Sequence, residues 1–396
     1  MPRVNYAQAV FGDEEKQAVV NSLDNNYLSI GPNTLEFEKK VAKYFGKKYG
    51  VMVNSGSSAN LLCSQLIPKG EVITPALTFA TTLTPLLQCN LKPVFVDSDI
   101  QTFLPNIEDI EKKITKDTTA IMIPDLLGNR MDSKKLRELC DEKGLLYIQD
   151  SCDTMQRNAN GHFVTTSFYG SHIITAMGGG GMVMSDDEKA IERIRTMRDW
   201  GRGVDVSEKI DERYKYNIDG IDYDGKFVYV ERGFNMRTSD AQAAFGLQQL
   251  QRLDGFIKTR IENFYTLYNF FSLFPYFNLP KSQFDPNWLA FPLTLKKDVF
   301  FSRYSLVKWF EDHDIQTRPI FSGNVLRHPV FKDLSDEEFP NADYIMKNGI
   351  LLGSHQGMGI KELEYIKETF YEFIGRQNLV DGRQWAFRQT PKNKCR

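Results

Sequence analysis

The sequence predicts an α/β protein with a large unit built on a mostly parallel sheet covered by helices, followed by a smaller C-terminal α+β unit. Three observations carry that prediction. Short apolar runs alternate with helix-length segments through the first part of the chain, the pattern of parallel strands joined by helical crossovers. One run, 50–53, passes directly into NSGSSAN (54–60), small and hydroxyl-bearing residues that open a helix. Another, 145–148, leads to Asp150, which sets a carboxylate at the strand end where open α/β sheets bind ligands.

In chain order, Asp13 caps a helix whose apolar face carries Val19, Val20 and Leu23. After Gly31-Pro32-Asn33, the spacing of Leu35, Phe37, Val41 and Phe45 predicts a second helix over 35–45. Strand 50–53 and the helix through 66 follow. Further strands are expected at 72–74, 93–97, 120–123 and 145–148, with helices over 82–88 and 133–142 between them. Met182-Val183-Met184 reads as another strand. A long helix over 250–271 precedes a proline-marked stretch (Pro275, Pro280, Pro286), then a strand over 289–295 and a helix over 303–312. These features divide the chain into 1–254, 255–380 and a polar tail, 381–396.

Composition narrows the function classes. At 396 residues the chain exceeds one typical core. Its 41% hydrophobic and 25% charged residues are ordinary for a soluble globular protein. A net charge of −2 with evenly spread Lys and Arg gives no reason to expect nucleic acid or an anionic membrane. The opening MPRVNYAQAVFGDEEKQ has no apolar core of a leader, and no apolar run approaches the roughly 20 residues of a membrane helix. Cysteines 63, 89, 140, 152 and 395 form no CxxC, as expected for reduced thiols of a cytoplasmic enzyme.

The NSGSSAN turn offers backbone N–H groups at a helix N-terminus, a geometry suited to phosphate, although a tight strand-to-helix connection alone has the same form. The run Gly178 to Gly181 lacks the lysine and spacing of a Walker loop and reads as a flexible turn. His172 is a general-base candidate, since an imidazole titrates near neutrality.

Taken together, NSGSSAN, Phe79 in PALTFAT, Asp150 with Asp153, and SFY followed by His172, Ile174-Thr175 and glycines resemble the DegT/DnrJ/EryC1/StrS family of sugar aminotransferases, which have the fold type I architecture of pyridoxal-phosphate enzymes. RDWGR (198–202) and TRPIFSGN (317–324) extend the resemblance, which covers about residues 31–359. It implies pyridoxal 5'-phosphate, or its amine form pyridoxamine 5'-phosphate, as cofactor. Asp150 would hold the pyridine nitrogen, Phe79 would stack on the ring, and Asp153 would lie beside it. Ser167 with Gly56 and Ser57 would hold the phosphate, and Asn235 would reach that phosphate from the partner subunit of a homodimer. The family places a covalently anchoring Lys five residues after the phosphate-binding Ser. Here that residue is His172, and no Lys lies between Lys143 and Lys189.

Within the family, Lys-to-His marks 3-dehydratases of nucleotide-linked 4-keto-6-deoxyhexoses. The resemblance therefore implies removal of a sugar C3 hydroxyl, with glutamate as amino donor, ammonia as product and His172 as base. One branch carries an iron–sulfur cluster on cysteines after RDWGR, but residues 202–250 contain none. The cluster-free branch, acting on GDP-4-keto-6-deoxymannose in dideoxysugar and O-antigen biosynthesis, is the nearer likeness, with no metal expected. Arg237 and Arg318 either grip glutamate carboxylates or the sugar diphosphate, or form surface ion pairs. His328 is a further sugar-contact candidate. Two alternatives stay open: a nucleotide-sugar aminotransferase, and a catalytically silent binding homologue.

Overall fold

The structure is a computed structural model that describes residues 2–203, 209–282, 284 and 286–380. The expected tail over 381–396 lies outside the described residues. Helices α1 (Asp13–Asp24) and α2 (Pro32–Tyr44) lead into β1 (Tyr49–Val53), α3 (Gly56–Ser64), β2 (Glu71–Pro75), α4 (Ala80–Gln88) and β3 (Lys92–Val96). Then come α5 (Ile107–Lys112), β4 (Thr118–Pro124), α6 (Ser133–Lys143), β5 (Leu146–Asp150), β6 (Phe163–Ser167), β7 (Gly181–Ser185), α7 (Glu188–Arg198) and α8 (Ile210–Arg213). A hairpin, β8 (Tyr216–Ile218) and β9 (Ile221–Tyr223), precedes the long α9 (Asp240–Phe271). The C-terminal part contains β10 (Phe277–Asn278), β11 (Phe291–Leu295), α10 (Arg303–Asp312), β12 (Thr317–Arg318), α11 (Pro340–Asn348), β13 (Gly349–Leu352) and α12 (Ile360–Val380).

Seven strands form one sheet in the order β1-β7-β6-β5-β4-β2-β3. Only β7 runs against its neighbours. No helix separates β6 from β7, so the chain turns straight back and pairs antiparallel. That return loop carries His172. Both faces are covered, and alternate residues serve opposite cores: Val51, Val53 and Val183 pack into one cluster, Met52, Met182 and Met184 into the other. Each such fully buried side chain contributes about 1.5–3 kcal/mol relative to exposure, which fixes the register that aligns the strand ends. β10, β11, β13 and β12 form a second, antiparallel sheet in that order.

Two buried carboxylates tie helices to this frame. Glu38 of α2 accepts from Met52 N at 2.7 Å and Arg198 Nη1 at 3.0 Å; burial raises its pKa despite the guanidinium. Asp240 accepts from Thr34 N at 2.8 Å and Asn33 Nδ2 at 2.6 Å, which docks α2 onto the start of α9.

Several elements differ from the sequence expectation. Helix α9 begins ten residues before the expected 250, at a capping box formed by Ser239 and Gln242. Its first turns carry Ala241, Ala243, Ala244 and Gly246, small because α2 packs on them: a Cβ on Gly246 would lie 2.7 Å from the Phe37 ring. Those residues give a weak apolar period, so the helix start escapes pattern reading. α9 also runs unbroken through position 255. Strand β6 was not expected, because its Thr165-Thr166-Ser167 look like loop residues although every position is buried. The strand expected over 289–295 is shortened to β11 at Phe291–Leu295.

Candidate active site

The carboxyl ends of β1, β2, β5 and β6 meet at one edge of the sheet, where β7 begins. A cavity of about 340 Å³ opens there. Gly56, Ser57, Phe79, Asp150, Asp153, Ser167 and His172 all line it, so residues separated by more than a hundred positions share one pocket. No lysine is among its lining residues.

At one end, Ser55 caps α3 by accepting from Ser58 N at 3.1 Å, and Gly56 and Ser57 form the first helical turn beside Ser167. This cradle exists only without side chains. A Cβ on Gly56 would lie 2.6 Å from Cys152 Sγ and 2.8 Å from Ser167 Cβ, and one on Gly181 would lie 2.3 Å from the Ser55 carbonyl carbon. The helix N-terminus, the hydroxyls of Ser57 and Ser167 and the space at Gly56 together suit a phosphate group.

On the pocket floor, Asp150 is 4% exposed. Its Oδ2 accepts from Asn60 Nδ2 at 2.8 Å and Thr82 Oγ1 at 2.9 Å, and its Oδ1 accepts from Cys152 N at 3.2 Å. Thr165 Oγ1 donates to Asn60 Oδ1 at 2.7 Å, orienting that amide. The carboxylate is thus held rigidly by donors, as required of a fixed counter-charge for a cationic ring nitrogen. Asn60, Thr82 and Thr165 were not anticipated. They come from α3, α4 and β6, and no local motif links them.

Beside Asp150 lie two more acids whose pKa burial pushes up to about 7, Asp153 and Asp125. Asp153 accepts from Leu127 N at 2.9 Å. Leu127 donates from a left-handed conformation, φ 58°, an arrangement costly for a non-glycine residue. Asp125 accepts from Gln149 Nε2 at 2.9 Å and from Ser151 Oγ. Burial disfavours the charged form of both acids, which lowers the cost of grouping them beside Asp150 in one dry region.

Above the floor stand Phe79, 49% exposed and edge-on to Phe321 at 6.0 Å, and His172. The imidazole Nδ1 lies 3.4 Å from the Ser167 carbonyl, and the ring meets Tyr169 edge-on at 5.8 Å. Burial pushes its pKa down to about 4, so the ring is neutral at physiological pH with a lone pair available. Tyr169 and Phe321, which fall within SFY and TRPIFSGN but have no individual role assigned from sequence, also line the cavity.

The remaining candidates lie elsewhere on the single chain. Asn235 is exposed and pairs through its backbone with Asp199. Arg237 sits 3.4 Å from Asp199 and over the Trp200 ring. Arg318 is exposed, covers the Tyr6 ring and donates to the Thr317 carbonyl at 2.7 Å. His328 Nε2 lies 2.7 Å from the Ser322 carbonyl. None of the four lines the cavity.

A phosphate cradle at a helix N-terminus, a buried carboxylate beneath an exposed aromatic face, and the sheet that aligns them define a fold type I pyridoxal-phosphate architecture. The chain belongs to the DegT/DnrJ/EryC1/StrS aminotransferase family, whose sequence pattern matches residues 10–371. Lipopolysaccharide biosynthesis protein RfbH of Salmonella typhimurium is 35% identical, over 92% of this chain and 90% of the relative. GDP-4-keto-6-deoxy-D-mannose 3-dehydratase of Yersinia pseudotuberculosis is 32% identical, over 92% and 96%. The structure of E. coli GDP-4-keto-6-deoxy-D-mannose-3-dehydratase with bound hydrated PLP matches with a TM-score of 0.83 at 30% identity, covering 93% of this chain and all of that one.

Proposed function

We propose that this protein is a 3-dehydratase of a nucleotide-linked 4-keto-6-deoxyhexose, GDP-4-keto-6-deoxymannose being the favoured substrate. Glutamate supplies the amino group and leaves as its 2-oxo acid, ammonia is released, and the sugar C3–OH becomes C–H. The observation that carries the reading is His172 in a cavity otherwise built for pyridoxal phosphate and lined by no lysine. Relatives named as such dehydratases support it.

Gly56, Ser57 and Ser167 would hold the phosphate, Asp150 the ring nitrogen, and Phe79 one face of the ring, with Asp153 alongside. Bound there, pyridoxal phosphate supplies a conjugated ring that accepts an electron pair from an adjoining carbon. Asp150 would keep the ring nitrogen protonated. His172, neutral and partly buried, would serve as the base that moves a proton from the cofactor's C4′ position. Having no primary amine, His172 cannot anchor the cofactor covalently, as a lysine would. The low pKa of the imidazole keeps it unprotonated at physiological pH, with a lone pair able to accept a proton.

The active site is proposed to be completed in a homodimer, with Asn235 reaching a partner's phosphate cradle. Its exposure outside the cavity of its own chain fits that role. Ile218, Ile221, Tyr223 and Phe227, exposed on and beside the hairpin, offer apolar surface for such contact. Arg237, Arg318 and His328 are proposed substrate contacts only within that assembly. No helix among the described residues is long and apolar enough to cross a membrane, and we place the enzyme in the cytoplasm, upstream of lipopolysaccharide assembly.

The test is incubation with GDP-4-keto-6-deoxymannose, glutamate and pyridoxal phosphate. A 3-deoxy sugar with ammonia is the expected outcome. Net transfer of the amino group to the sugar would instead identify an aminotransferase, and no turnover on a panel of GDP-, CDP- and dTDP-sugars would favour a binding homologue.

A further inference from the structure

Arg260, on α9, is 1% exposed, yet among the described residues no carboxylate lies within ion-pair distance of it. Its guanidinium donates from Nε to Gln356 Oε1 at 2.6 Å and from Nη1 to the Leu289 carbonyl at 2.9 Å, while Nη2 has no partner. Burial pushes its pKa down to about 10, which still leaves it charged at neutral pH. A buried cation without a counter-ion is a poor stabiliser, since an apolar side chain of similar volume would fill the space without the desolvation cost. Packing does not account for the charge.

The other side of Gln356 does. Its Nε2 donates at 3.1 Å to the carbonyl of Ile173, the residue that follows His172. Ile173 is buried, so this carbonyl is a fixed point of the loop between β6 and β7. One helical turn along α9, Asn263 Nδ2 holds the His355 carbonyl at 2.9 Å, so α9 grips the 355–358 turn on both sides of Gln356. The amide of Gln356 is thereby polarised from one end, by a cation, and aimed from the other at the His172 loop.

We propose that Arg260 is a positioning residue for His172: through Gln356 it anchors the Ile173 carbonyl and so the loop that presents the imidazole to the cavity. The role rests on His172 being the base of the reaction proposed above. It has two components, a mechanical one through the amide and an electrostatic one, because the buried charge of Arg260 disfavours protonation of His172 in the same direction as burial does. The other titratable groups facing the pocket are Asp150, Cys152 and Asp153 at the β5 end and Tyr169 on the loop itself, and Tyr6 and His355 lie within electrostatic reach of Arg260.

The components separate by experiment on the full-length protein loaded with pyridoxal phosphate and labelled at histidine. The His172 resonances are assigned by their loss in His172→Asn and followed against pH. In Arg260→Met the His172 midpoint is expected to rise by about half a pH unit or more, and in Arg260→Lys to return to the wild-type value. A folded Arg260→Met protein with an unmoved midpoint, or an equal rise in Arg260→Lys, overturns the electrostatic component. Gln356→Leu, which retains the cation and cuts the relay, is expected to lower kcat about tenfold with KM changed less than about twofold; an unchanged kcat overturns the relay. Gln356→Leu also carries the test if Arg260→Met does not fold. Failure of the dehydratase reading registers separately, as absence of 3-deoxy sugar from the wild-type protein, and failure of His172 as base as retained turnover in His172→Asn.

Discussion

Replacing His172 by Asn is expected to lower 3-deoxy-sugar formation by about 10²–10⁴-fold, the range general-base groups contribute, with pyridoxal phosphate affinity changed only slightly. The reasoning is geometric. The phosphate cradle and the Asp150 floor lie on α3, β5 and β6, held by their own hydrogen bonds, whereas His172 stands on the return loop, where its ring makes a 3.4 Å approach to the Ser167 carbonyl and an edge contact with Tyr169. An asparagine fits that space and can donate to the same carbonyl, but it has no basic nitrogen at neutral pH. The paired measurement is product formation with glutamate and sugar nucleotide alongside a cofactor-binding titration. Turnover within about tenfold of wild type would remove His172 from the proton transfer.

Asp150→Asn is expected to reduce turnover by about 10²–10³-fold, the loss typical when one preorganised electrostatic group is removed. The substitution keeps the volume and one carbonyl oxygen, which can still accept from Asn60. The new amide nitrogen then takes the Oδ1 place, near the Thr165 hydroxyl, which can rotate and accept, while the Cys152 N–H loses its acceptor, so the fold should survive with a stability loss of about 1–3 kcal/mol. What would be lost is the carboxylate proposed above to keep the ring nitrogen protonated. Turnover measured beside the thermal midpoint separates the two effects. Activity within about threefold of wild type would mean that Asp150 does not face the ring nitrogen.

The outline of both the fold and the pocket could be read from the chain because its strong signals are local. A buried strand running into NSGSSAN, a strand ending in Asp150, and a histidine five residues after Ser167 each need only a short window. What escaped reading is long-range or compositionally quiet. Asn60, Thr82 and Thr165 matter because three different elements bring them to one carboxylate. Strand β6 hides because two threonines and a serine look like a turn until β5 and β7 enclose them. The start of α9 hides because its small residues serve the approach of Phe37 rather than an apolar stripe. Arg260 lies 88 positions beyond His172 and reaches its loop through a single glutamine, a link only the folded chain creates.

The central claim is that an imidazole occupies the place where relatives in this family anchor the cofactor through a lysine amine. The most direct measurement is borohydride reduction of the wild-type protein saturated with pyridoxal phosphate, followed by intact-mass and peptide mass spectrometry. The expected result is an unmodified chain, with an adduct appearing at position 172 only in His172→Lys. A cofactor adduct on any lysine of the wild-type protein would contradict the claim.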